Sequence, residues 1–235
     1  MPTINIKNAV LDLIFPKACF GCGKEGTYVC DDCVAVIDIS RYRYCLCPKP
    51  TRIIKKGKCR FCETNKLDGL LAPVSYEKAL ARNIIKKFKY EPLIRGLSKE
   101  LASIIDSHFK LLDNPPDFSG FTVTAIPLDN KRLRWRGYNQ AEELAKALAI
   151  TLDLKTDFRV LKKIKSSLIQ ADLDKEQRKE NVRGIFVCPS KTEVKGKNIL
   201  IIDDVYTTGA TMKEAATVLK EAGAKKVWGV VFARG

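Results

Sequence analysis

Residues 198–211 read NILIIDDVYTTGAT: an apolar run, two adjacent carboxylates, then a turn of hydroxyls around Gly209. The run NILIID suits a strand buried on both faces, as parallel sheets require. The residues after it, TMKEAATVLKEAG, carry helical periodicity and end at Gly223, a C-cap residue. KVWGVVFA then returns to strand.

A loop that follows a parallel strand and precedes a helix lies at the carboxyl edge of the sheet, where open α/β folds bind ligands. In this loop Gly209 allows a sharp turn and Thr207, Thr208 and Thr211 offer hydroxyls. The helix start adds unpaired N–H groups, which completes a phosphate cradle. No lysine follows a second glycine, so the loop is no Walker A motif. Asp203 and Asp204 would repel a phosphate unless they face a sugar diol or a magnesium ion. A phosphorylated ribose supplies both.

Working outward, FTVTAI at 121–126 is rich in β-branched and aromatic residues and ends at Pro127, as a strand entering a loop does. Residues 138–152 read as a helix with Ala141, Leu144, Ala145 and Leu148 in register. RVLKKIK reads as a short strand, and DLDKEQRKENVRGIF as a polar helix running into a strand at 185–187. Upstream, EKALARNIIKKFKY places Leu80, Ile84, Ile85 and Phe88 on one helical stripe and Arg82, Lys86, Lys87 and Lys89 on the opposite face. A second helix after Gly96 buries Leu97, Leu101, Ile104, Ile105 and Phe109. His108, the one histidine, is placed at the surface with no chemistry assigned. NPPDFSG is a loop and ETNKLDG, at 63–69, a connector. Strands alternating with helices define an α/β fold whose parallel sheet is flanked by helices.

Eight of the nine cysteines precede residue 63. They form the pairs Cys19/Cys22, Cys30/Cys33, Cys45/Cys47 and Cys59/Cys62. A gap of two residues lets both thiolates of a tight turn meet one ion, and two such turns complete a tetrahedral zinc shell. The natural grouping is Cys19, Cys22, Cys30 and Cys33 in one site and Cys45, Cys47, Cys59 and Cys62 in the other, with an interleaved pairing as the alternative. The single-residue gap at Cys45-Leu46-Cys47 departs from the usual knuckle. Four thiolates also suit an iron–sulfur cluster, and a disulfide framework would need an oxidising compartment. Few large apolar residues accompany these cysteines, so two structural zinc ions would supply much of the folding free energy of a small N-terminal, Cys-rich zinc ribbon domain. The boundaries expected are 1–66 for an N-terminal helix and the double ribbon, and 67–235 for the α/β domain.

The chain carries a formal charge of +15 over 235 residues, which biases it toward polyanions. Arg41, Arg43, Arg52, Lys55, Lys56, Lys58 and Arg60 form either a nucleic-acid face or a solvated one. There is no uninterrupted apolar run of about 18 residues, and MPTINIKNAVLDLIF lacks the pattern of a secretion signal. The expectation is a cytoplasmic protein without a transmembrane segment.

The acid pair and threonine turn resemble the signature of type I phosphoribosyltransferases. AIPLDNKRLRWRGYNQAEELA is similar to a segment of the ComF group of competence-associated proteins, through Arg134, Arg136, Gly137, Tyr138, Asn139, Gln140 and Ala141. SSLIQADLDKEQRKENVRGIF resembles that group's mobile loop, with Gln170, Leu173, Arg178, Asn181 and Phe186 in register. LIFPKACFGCG resembles its entry into the zinc ribbon, and FKYEP its L-K-Y segment with Phe88 in place of leucine. Lys162 and Lys163 stand where arginine is expected.

The resemblance implies that Asp203 and Asp204 hold the ribose hydroxyls of phosphoribosyl pyrophosphate. Tyr206, Thr207, Thr208, Gly209, Ala210 and Thr211 would hold its 5′-phosphate, and the backbone of Leu128, Asp129, Asn130 and Lys131 its pyrophosphate, with Mg2+ neutralising the leaving group. Asp203, Asp204, Gln170 and Arg178 are then the catalytic candidates, the last two on a segment that closes over the site. Arg132, Arg134 and Arg136 are candidates for anchoring phosphates or for meeting nucleic acid, with Tyr138 as a further nucleic-acid candidate. Two readings stand: a phosphoribosyltransferase linked to DNA uptake in natural transformation, and a non-catalytic module that handles single-stranded DNA or senses the ligand, working with DNA-uptake proteins. No general base and no acceptor can be read from the residues, and no cysteine at the chain start offers a glutamine-hydrolysing nucleophile.

Overall fold

The computed structural model describes residues 16–47, 49–54, 58–90, 94–164 and 183–235. The expected N-terminal helix, the polar helix before residue 185, Gln170, Leu173, Arg178, Asn181, Lys55 and Lys56 lie outside the described residues.

The chain enters through the cysteine-bearing loops, which carry a short α-helix, α1 (Asp31–Val36), and a 3-10 turn at Arg60–Cys62. Two short strands follow, β1 (Gly69–Leu71) and β2 (Val74–Ser75), then α2 (Ala79–Lys89) and α3 (Leu97–Leu111). Next come β3 (Phe121–Ala125), α4 (Asn130–Arg136), α5 (Gln140–Thr151) and β4 (Lys155–Thr156). β5 (Lys162–Lys163), β6 (Phe186–Val187) and α6 (Lys191–Val194) lead to β7 (Asn198–Tyr206), α7 (Ala210–Glu221) and β8 (Lys226–Arg234).

The main sheet runs β1-β8-β7-β3-β4, with β2 continuing along β8. Every pairing in it is parallel. β5 and β6 form a separate antiparallel pair.

Alternation along the two central strands explains why both sheet faces are covered. Leu200, Ile202, Val230 and Phe232 pack with Ile84, Ile85 and Phe88 of α2, Leu101 and Ile105 of α3, and Leu144 and Leu148 of α5. Ile199, Ile201, Val227 and Val231 face the other way, against Met212, Ala215, Ala216 and Leu219 of α7. All four of Ile199 to Ile202 are 0% exposed, as a strand between two layers of helix must be. The ribbon cysteines Cys19, Cys30 and Cys33 join the first of these cores, and Cys45 and Cys62 the second.

Three expectations need correction. His108 is not at the surface: it is buried against the cysteine module, its Nδ1 2.6 Å from the Ser40 carbonyl oxygen, because it falls on the inner face of α3. Lys89, expected with Arg82, Lys86 and Lys87 on the face opposite the apolar stripe, instead reaches a buried carboxylate with its ammonium. Arg136 and Tyr138 are both buried and so present no open face to nucleic acid.

Candidate functional site

Asp203 and Asp204 fall where β7 leaves the core, and the turn after Tyr206 follows them directly. A cleft of about 200 Å³ opens there. It is lined by Asp203, Asp204 and every residue from Val205 to Met212, by Ile126, Pro127, Leu128 and Arg132, and by Tyr76, Lys89, Gln140, Lys163 and Ile185. The acid pair and the threonine turn therefore share one cavity at the carboxyl edge of the sheet.

The two acids differ in environment. Asp204 is 2% exposed and each of its oxygens has a side-chain partner: Lys89 Nζ lies 2.8 Å from Oδ1, and Gln140 Nε2 donates to Oδ2 at 3.3 Å. Asp203 accepts the Asp204 backbone N–H at 2.9 Å. Burial and the neighbouring Asp204 charge raise the Asp203 carboxyl to about 7, against a smaller opposing pull from Lys89. Burial draws the Lys89 ammonium down, yet the charges of Asp204 and Asp203 outweigh it and hold the group above its ordinary value.

Lys89 is brought to this place by a tether. Tyr138 Oη donates to the Phe88 carbonyl at 2.9 Å and fixes the end of α2 beside the start of α5. Asn139 caps α5, its side chain accepting from Ala141 N–H at 3.1 Å, while its Nδ2 donates to the Ile126 carbonyl at 3.0 Å. That bond holds the loop after β3 against the cleft. The segment Arg136–Gln140 is thus an internal clasp.

The opposite wall departs from the expected backbone cradle. Asp129 caps α4 by accepting from Arg132 N–H at 2.9 Å, so Asn130 and Lys131 fall in a helical first turn. Of the four residues expected here Leu128 lines the cleft, and Pro127 and Arg132 supply the rest of this side. Buried Asp129 also faces Arg132 and Lys163, at 3.4 and 3.8 Å. Arg134 is exposed and Trp135 is 55% exposed, with Tyr90 tilted 6.4 Å from it.

The turn itself depends on Gly209. Its φ of +74° is left-handed, and a Cβ placed there would overlap the Tyr206 ring. Thr208 Oγ1 accepts from the Ala210 N–H at 3.3 Å, whereas Thr207 is exposed.

In the module, the four sulfurs of Cys19, Cys22, Cys30 and Cys33 lie within 4.8 Å of one another, and so do those of Cys45, Cys47, Cys59 and Cys62. The expected grouping holds and the interleaved one does not. Cys19 Sγ accepts backbone N–H groups from Gly21 and Cys30, each at 3.4 Å, and Cys45 Sγ accepts one from Thr51 at 3.2 Å. Burial alone would raise these two thiols, but the donors prevail and lower each to about 6. Closed sets of four sulfurs with N–H donors fit structural zinc, so either group could hold an ion.

Among the cleft partners, Gln140 and Arg132 were legible as part of the basic segment, whereas Lys89 and Tyr76 as cleft walls were not. For Lys89 the available signal was its place in FKYEP, a segment whose resemblance to the ComF group already marked it.

Residues 136–235 match the phosphoribosyl transferase domain family, and the parallel sheet with a cleft at its carboxyl edge accords with that likeness. The resemblance to the ComF group is borne out by relatives named as competence and DNA utilization proteins. The chain is 32% identical over 114 residues to "Competence protein F" of Haemophilus influenzae, covering 47% of this chain and 50% of that protein. It is 26% identical over 207 residues to "Competence protein ComFC" of Streptococcus pneumoniae, covering 86% of each. It is 32% identical over 105 residues to "DNA utilization protein YhgH" of Salmonella typhi, 45% of each. The chain thus spans about half the length of two of these three relatives. Among solved structures it is similar to a glutamine phosphoribosylpyrophosphate amidotransferase from B. subtilis, at 20% identity over 58% of this chain and 25% of that one, with a TM-score of 0.36. Among the described residues no helix is long and apolar enough to cross a membrane.

Proposed function

We propose that the cleft binds phosphoribosyl pyrophosphate and that the chain serves the handling of incoming DNA inside the cell. The observation that carries this reading is the shared cavity of the acid pair and the turn around Gly209. A single ligand that carries a diol beside a phosphate satisfies both.

In this reading Asp203 and Asp204 accept the ribose hydroxyls, Asp204 being held in place by Lys89 and Gln140. Residues 207–211 donate backbone N–H groups and hydroxyls to the 5′-phosphate. Arg132 and the backbone at Pro127 and Leu128 face the pyrophosphate. With Asp204 Oδ1 taken by Lys89, Asp203 is the carboxylate left for a hard cation, which fits magnesium carried mainly by substrate phosphates. Bound magnesium would offset charge on a departing pyrophosphate.

Calorimetric titration of phosphoribosyl pyrophosphate with and without Mg2+ tests the proposal. Saturable, Mg2+-enhanced binding that is lost in the Asp203→Ala/Asp204→Ala double variant is expected, and absence of binding in the wild type rejects it. Release of pyrophosphate with a nucleobase or amine acceptor would extend the reading to pentosyl transfer.

A second reading, direct contact with single-stranded DNA, is favoured by the module's surface. There the Arg52 guanidinium lies 3.7 Å over the Tyr42 ring, and Tyr44 is 38% exposed. Steep loss of DNA affinity with salt is its expected signature.

A further inference from the structure

The phosphate turn and the second cysteine group are joined by a chain of contacts through Arg234, the last residue of β8. Its guanidinium is aimed at the cysteine loop: Nη1 donates to the Cys45 carbonyl at 2.7 Å and Nη2 to the Cys47 carbonyl at 2.9 Å. The same guanidinium stands 5.5 Å from the centre of the Tyr206 ring.

Tyr206 is the register partner of Arg234 across β7 and β8, and the Gly235 N–H donates to its carbonyl at 3.0 Å. Its side chain is buried, and its hydroxyl has no hydrogen-bond partner among the described residues. Packing and the cation over its face therefore locate the ring. That ring fills the space a side chain at residue 209 would need, so its position sets the room in which the turn is folded.

We infer that Arg234 and Tyr206 are positioning residues through which the metal-filled Cys45–Cys62 group holds the shape of the phosphate turn. The inference rests on the phosphate reading of that turn given above. The carbonyls of Cys45 and Cys47 belong to two candidate ligands separated by one residue, and an ion that drew both sulfurs to one centre would keep them pointing together. Loss of that centre lets the loop relax, and Arg234 then loses its two aligned acceptors. The planar fork matters here, because its two terminal nitrogens each reach one carbonyl while the flat guanidinium stays beside the ring.

The test uses the full chain as wild type, Arg234→Ala, Arg234→Lys, Cys59→Ser and Arg234→Ala/Cys59→Ser. Zinc content is measured by chromophoric release, and amide hydrogen exchange is followed in residues 206–211 without ligand. Arg234→Ala is expected to retain both zinc ions and yet exchange about tenfold faster in that turn, as the loss of charge-assisted hydrogen bonds implies. Arg234→Lys should fall between it and wild type, and guards against misfolding of the alanine variant. Cys59→Ser should hold one zinc and show the same acceleration, with no further gain in the double variant. Unchanged exchange in Arg234→Ala, or independent additive effects of the two substitutions, overturns the inference.

Titration of phosphoribosyl pyrophosphate on the same preparations separates the two layers. A wild type that fails to bind rejects the ligand reading and leaves the exchange result to decide the tether. A wild type that binds no better than a zinc-replete Arg234→Ala rejects the tether.

Discussion

Lys89 Nζ stands 2.8 Å from Asp204 Oδ1, so a helix placed early in the chain neutralises one carboxylate of a pair that lies at the end of β7. The other carboxylate, Asp203, is left to the cleft. Lys89→Met would remove the cation and leave Asp204, which is 2% exposed, with Gln140 as its remaining side-chain partner. Breaking a buried pair in this way costs about 3–5 kcal/mol. The expected result is a large drop in urea midpoint for Lys89→Met that is mostly restored in Lys89→Met/Asp204→Asn. A single variant as stable as wild type would show that the pair contributes nothing.

Asp203 gives the fold a pH dependence whose sign follows from its raised value of about 7. In the unfolded chain the carboxyl titrates near its ordinary value of about 3.9. Between the two values the folded state keeps a proton that the unfolded state has released. The stabilising contribution is therefore complete below about pH 4 and is lost as pH rises toward about 7. Denaturation across this window should show a falling stability that Asp203→Asn flattens. Ligand affinity runs the other way, since hydroxyl donors and magnesium prefer the ionised carboxylate, and binding should strengthen as the pH passes through about 7.

How much of this was visible beforehand depends on where the information lies. β7 and β8 were legible because nearly every residue from 199 to 202 and from 227 to 233 is apolar, and only a strand between two helical layers demands that. β1 and β2 were missed because three- and two-residue strands, separated by Ala72 and Pro73, carry too little pattern to separate from a connector. α4 was missed because NKRLRWR lacks an apolar stripe and is nucleated by a cap, Asp129, that also reads as a loop residue. His108 and Lys89 show the general limit. A polar residue declares itself polar in sequence, but whether it is solvated or paired depends on Ser40 and Asp204, which only the fold brings near.

The two sulfur groups predict a defined metal content. The intact chain should carry two zinc ions, and Cys22→Ser and Cys47→Ser should each carry one, because each substitution opens one of the two closed sets. Chelation should expose the module to proteolysis first, since few large apolar residues accompany its cysteines and metal would supply much of its folding free energy. A chain that binds a single ion across both sets would contradict the grouping.

Gly209→Ala asks the most of the turn. The left-handed φ of +74° imposes a strain of about 1–3 kcal/mol on any side chain held there, and the new methyl group also overlaps the Tyr206 ring. Two faults with different remedies are thus combined in one substitution. Tyr206→Ala in the same background removes the overlap and leaves the strain. Gly209→Ala should therefore abolish binding of phosphoribosyl pyrophosphate in calorimetry and lower the melting temperature, and the double variant should regain part of the melting temperature with weak binding. Were Gly209→Ala to bind as wild type does, neither the turn's left-handed geometry nor its fit against Tyr206 would matter to the ligand, and the phosphate would have to sit elsewhere in the cleft.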